Sequence, residues 1–167
     1  MKILFTRIII MALFSAGINL CAAQTLPDFK LIKLNRTADY KPAEPFALLT
    51  ANYLLSNPIV KDNPDRANAM EFIIKWMTGT PDHSFILDEL ITKLTKDNDD
   101  LLGIYAAAMV KYSLENKEAS KDAKVVKLNA LILMLNYCEN KNNNIKMSKS
   151  LKKLSEAKQK GELEKAI

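Results

Sequence analysis

Apolar residues recur at helical spacing along most of the chain after residue 44, and polar breaks divide the pattern into segments. The spacing predicts helices over about 45–56, 64–78, 81–96, 99–116, 121–140 and 148–160. Each start carries a signal. Pro45 suits a first turn, and Asn57-Pro58 ends that segment. Asn63 caps the next helix, with Pro64 and Asp65 in its first turn and Gly79 at its close. Thr80-Pro81-Asp82 repeats the device, and Ile86, Leu87, Leu90, Ile91 and Leu94 form one stripe after it. Asp97-Asn98-Asp99-Asp100, Ser120 with Asp122, and Ser148 open the rest.

The stripes differ in width. Segment 99–116 carries Leu101, Leu102, Ile104, Tyr105, Met109, Val110 and Leu114 around Gly103 and Ala106-Ala107-Ala108. Segment 121–140 is similarly apolar, and both, with 64–78, belong at the centre of a bundle. Segments 81–96 and 148–160 have narrower apolar faces and belong outside. The fold class expected is all-α: a compact stack or bundle of about six helices. A solenoid-like arrangement of helical hairpins is compatible with it, because two helices fill about 35–40 residues. Residues 24–44 read as irregular, interrupted by Pro27 and Pro42, with a short extended piece at Phe29–Leu34. Residues 45–140 form the helical core domain, and 141–167 a lysine-rich helix and tail that frays from Gly161.

The segment before these helices has a different character. Lys2 and Arg7 precede the apolar run Ile8–Phe14, and Cys21-Ala22-Ala23 places small residues before Gln24. This is the signal-peptide pattern, with cleavage expected after Ala23 and a periplasmic or secreted destination. A retained anchor is disfavoured because the strongly apolar part is shorter than the roughly 20 residues a bilayer requires. A lipid on Cys21 is disfavoured because Leu20, not a small residue, precedes it. Cleavage leaves Cys138 as the one cysteine, so the mature chain has no intrachain disulfide, and Cys138 reads as a small buried hydrophobe.

Composition removes whole classes of chemistry. With four glycines in 167 residues, Gly-rich phosphate loops and nucleophile elbows have no material. One histidine excludes most zinc shells. From Asp97, the sixth and twelfth places of a calcium loop fall on Leu102 and Ala108, so that pattern fails too. The net charge of +5 is uneven: residues 141–167 hold eight lysines and three glutamates. That tail has neither arginine nor aromatic rings, so it suits weak contact with anionic surfaces and not nucleic acid. No cofactor is expected.

Four residues remain as a candidate ligand or partner surface: Trp76, His83, Asn129 and Asn136. Trp76 stands beside a tight corner. His83 is placed in the first turn of the 81–96 helix, where the dipole favours a neutral imidazole. Asn129 and Asn136 are seven apart, hence on one face of an otherwise apolar helix. Acids such as Asp65, Glu71, Asp82 and Glu89 would support carboxylate chemistry only if the fold brought them together.

The run Phe72-Ile-Ile-Lys-Trp-Met-Thr-Gly-Thr-Pro-Asp-His83, with Leu101-Leu-Gly-Ile-Tyr105 and Gly161-Glu-Leu-Glu-Lys165, resembles a family of small secreted bacterial proteins. The resemblance covers most of residues 45–167 and implies no activity. The function expected is an exported, non-enzymatic binding or scaffolding module of the bacterial envelope. Its partner would be another envelope protein, and no stable membrane insertion is expected after leader cleavage. The alternatives are a carboxylate-type enzyme with its site near Asp82 and His83, and a small-ligand carrier with a groove between the 99–116 and 121–140 helices.

Overall fold

The structure, a computed structural model, describes residues 26–96 and 98–167. The expected leader, its expected cleavage site after Ala23, Cys21 and Asp97 lie outside the described residues. Among the described residues six α-helices succeed one another: α1 (Glu44–Ser56), α2 (Pro64–Gly79), α3 (Glu89–Thr95), α4 (Asp99–Glu115), α5 (Ala123–Glu139) and α6 (Lys149–Gln159). Short 3-10 turns fill several connections, and no strand occurs among the described residues. The protein is all-α.

Local chemistry sets most helix starts. The Asn63 side chain accepts from the backbone N–H of Asp65 and Arg66, with Pro64 at the first position of α2. Asn98 caps α4 through Leu101 N–H, and Ser148 caps α6 through Leu151 N–H. At α5 the cap is Asp122, which accepts from Lys124 N–H, while Ser120 sits in a preceding 3-10 turn. Phe29–Leu31 is also a 3-10 turn, where an extended piece was expected. Asp28 explains it, because its carboxylate accepts from Lys30 N–H and curls the chain.

Helix α4 organises the bundle. One side of it, with Ile104, Tyr105, Ala108 and Met109, packs into a core shared with α5, α6 and Ile91 of α3. Its other side, with Ala106, Ala107, Val110 and Leu114, packs into a core shared with α1, α2 and Leu34. Burying each large aliphatic here contributes about 1.5–3 kcal/mol. The small residues let α1 and α5 approach from opposite sides. Because α1 packs extensively on α4, which is distant from it in sequence, the helices form a compact stack centred on α4.

Two further expectations are corrected. The 81–96 helix does not begin at Pro81. Residues 80–88 run without helix, and α3 starts at Glu89, capped by Asp88 through Ile91 N–H. Ile86 and Leu87, assigned to the apolar stripe, are exposed. The C-terminus does not fray from Gly161. That glycine takes the left-handed conformation (φ +70°) that closes α6, with Glu162 N–H bonded to Ala157 O. The chain turns there into a 3-10 segment, Leu163–Ala166, and buries Leu163 in the same core as Leu151 and Leu154.

Candidate functional site

Trp76 anchors the region that holds His83. It lies in the last turn of α2, fully buried, and its indole N–H donates to Tyr40 O at 3.1 Å. That bond ties the N-terminal segment to the end of α2. Gly79 completes the junction: a Cβ there would fall inside the Tyr40 ring. Trp76 therefore pins a corner and presents nothing to a ligand, which corrects its assignment to a candidate surface.

The segment after α2 covers this tryptophan. His83 and Phe85 lie 5.7 and 6.1 Å from the Trp76 ring and stack on each other at 6.1 Å. Two residues apart, they reach the same ring only if the chain is extended, since side chains at i and i+2 share a side there and diverge by about 200° in a helix. The exposure pattern agrees: His83 and Phe85 are half-buried, while Asp82, Ser84 and Ile86 are exposed. Packing of two rings on Trp76 thus overrides the helix signal of Thr80-Pro81-Asp82.

His83 consequently faces the start of α1. Its Nε2 stands 3.7 Å from Glu44 Oε1, an ion-pair separation, and its side chain is only 10% exposed. Glu44 Oε2 accepts from Lys117 Nζ at 3.2 Å. Asp82 lies 3.8 Å from Lys41 Nζ. These side chains and Ser84 line a polar cleft of about 390 Å³. Ser120 also borders it, but its hydroxyl donates to Lys117 O. Glu44 thus stands between the imidazole and the Lys117 ammonium. No side chain is hydrogen-bonded to His83 among the described residues.

The other carboxylates do not converge on it. Asp65 and Glu71 line a separate pocket beside Phe29 and Lys75. Glu89 pairs with Lys93 at 2.7 Å. Asp88 is the cap of α3 and an ion-pair partner of Lys127. Burial works to raise its pKa, but the hydrogen bonds from Lys127 and the Ile91 N–H outweigh that, leaving its carboxyl below the ordinary aspartate range. No group of three or more His, Cys, Asp or Glu side chains is placed to hold a metal ion among the described residues.

The two asparagines of α5 do not form a groove. Asn129 is half-buried and returns its amide N–H to Val125 O. Asn136 is exposed and accepts from Lys158 Nζ of α6 at 2.6 Å. Between α4 and α5, Tyr105 and Ala108 share a filled core with Ala130, Leu131 and Met134. Cys138 is buried there as well, its thiol pushed up to about 11 by burial and by the Glu139 charge, which keeps it protonated.

Two features escaped sequence reasoning. One is a shallow, mainly apolar groove of about 460 Å³ between the N-terminal segment and α1, bordered by Leu31, Ile32, Pro42, Ala43 and Phe46. Leu31 is 77% and Phe46 40% exposed. The prolines that marked this segment as irregular conceal such a surface, because a periodicity search has no period to find. The other is Arg66, buried in the first turn of α2. It reaches Leu54 O and Asn57 O at the end of α1 and Asp100 at the start of α4. The Asn57-Pro58 stop of α1 was its one clue: carbonyls at a helix end need donors.

No family model, curated protein or solved structure matches the chain.

Proposed function

We propose that the chain is an exported, non-enzymatic helical binding module of the bacterial envelope, in keeping with the small secreted proteins its sequence resembles. Its partner is another envelope protein offering an extended apolar segment. The groove bordered by Leu31 and Phe46 carries this reading. Leu31 and Phe46 on its border are both open to water, which suits contact with an apolar partner. Export is supported by Lys2, Arg7, the Ile8–Phe14 run and the small residues before Gln24. No helix among the described residues is long and apolar enough to cross a membrane.

Photo-crosslinking from position 31 in cells tests the reading. A discrete protein adduct is expected, lost in Leu31→Asp and Phe46→Ser while the fold persists. Crosslinks that survive both substitutions would overturn it. The cleft around His83 and Glu44 favours a second reading, an envelope enzyme. His83→Gln separates the two: the binding module keeps its cellular function in that variant, and the enzyme loses it.

A further inference from the structure

Helix α6 divides sharply into two sides. Leu151, Leu154 and Ser155 are buried against the bundle. Advancing about 100° per residue, Lys149, Lys152, Lys153 and Lys160 fall within an arc of roughly 100° on the opposite side. All four are exposed, and none is in an ion pair among the described residues. Glu156 is the one acid inside the arc. The remaining lysine of the helix, Lys158, points toward α5, bonding Asn136 and pairing with Glu139 at 2.7 Å. Ser155 adds a hydrogen bond to the same carboxylate. The lysine face is therefore carried on a helix locked in place by its other side.

We propose that this face of α6 is a peripheral docking surface for an anionic phospholipid bilayer. Charge complementarity identifies the occupant. The face is a straight row about 16 Å long, from the 1.5 Å rise over eleven residues, and suits a plane more than a pocket. Its cations are ammonium groups alone. A nucleic-acid site would add arginine forks and stacking rings, and neither is present from residue 141 onward. Leu151 and Leu154 are committed to the core, so the helix has no apolar face left to insert. The contact is accordingly electrostatic, reversible and sensitive to salt. Residues 26–148, which precede it, carry as many acids as bases, so the excess positive charge after residue 25 lies on α6 and the tail behind it, which orients the molecule.

Co-sedimentation of the full chain with vesicles of phosphatidylcholine, with or without 30% phosphatidylglycerol, tests this. The Ile8–Phe14 run is common to every variant, so its own affinity cancels in the comparison. Binding to the anionic vesicles should exceed binding to the neutral ones and fall steeply between 50 and 300 mM salt. Each lysine near the surface contributes about fivefold in partitioning. Replacing Lys149, Lys152, Lys153 and Lys160 together by Gln should lower anionic binding at least tenfold, with the thermal melt unchanged. Glu156→Lys should raise it several-fold. Neutralising Lys30, Lys61, Lys75 and Lys96, which lie outside α6, should have a much smaller effect. Equal binding to both vesicle types, or an unaltered quadruple variant, would overturn the proposal. Binding that tracks total charge regardless of which four lysines are removed would overturn it too.

Discussion

The same three-residue device occurs twice, at Asn63-Pro64-Asp65 and at Thr80-Pro81-Asp82, with opposite outcomes. After Asn63 a sixteen-residue helix begins at once. After Thr80 the chain continues without helix for eight more residues, and α3 waits for Asp88. The difference lies partly in the cap. The Asn63 side chain accepts two backbone N–H groups, whereas the Thr80 hydroxyl makes no hydrogen bond among the described residues, and its own N–H is taken by Trp76 O as α2 ends. The larger part lies in the residues downstream of each cap. Arg66, Ala69, Phe72 and Ile73 bury one side of α2, so helical periodicity and packing agree. His83 and Phe85 both seek the Trp76 ring, and only an extended chain lets them reach it. A start signal is thus a local preference of about 1 kcal/mol that packing of two rings can outweigh.

Removing the ring should break the comparison with the largest effect. Trp76→Ala deletes the partner of both His83 and Phe85 and the donor to Tyr40 O, with an expected cost of about 3–5 kcal/mol. Proteolytic cleavage within residues 80–88 should accelerate more than cleavage within α4. If that segment stayed protected, its path would not depend on Trp76.

Asp88 comes next, as the cap that does start α3. Asp88→Ala loses both the bond to Ile91 N–H and the pairing with Lys127, and should cost about 1–2 kcal/mol in chemical denaturation. The pH dependence has a definite sign. The folded carboxyl is held below the ordinary aspartate value of about 3.9, so its contribution is complete above that value. It is lost as pH falls through the lower folded value. Asp88→Ala should therefore flatten the acid side of the stability profile, and an unchanged acid slope would remove Asp88 from the account.

Legibility in the sequence tracks how local each cause is. The six helices, the central place of α4 and the caps at Asn63 and Ser148 rest on neighbouring residues, and they were legible. The extended path of 80–88 depends on a ring several residues earlier in α2 whose burial no local window reveals. Gly161 looked like the start of fraying, yet its left-handed turn returns Leu163 to the core. Of the candidate site, His83 was visible, but Glu44 and Lys117 join it only through the folded chain. The groove at Leu31 and Phe46 arises from an aperiodic segment and had no signature.

The smallest effects sharpen the comparison most. Asn63→Ala should cost about 1 kcal/mol, since it leaves the N–H groups of Asp65 and Arg66 without their acceptor at the start of a helix that buries Trp76. Thr80→Ala should change stability by less than about 0.5 kcal/mol. Its hydroxyl caps nothing, its N–H bond to Trp76 O is made by the backbone, and alanine keeps that bond. Its backbone, at φ −67° and ψ 129°, is open to any residue. Urea unfolding of the two variants in parallel gives the difference directly. Equal costs at both positions would mean that Thr80 contributes as a helix cap does, and the contrast between the two starts would then need a cause other than the packing of His83 and Phe85 on Trp76.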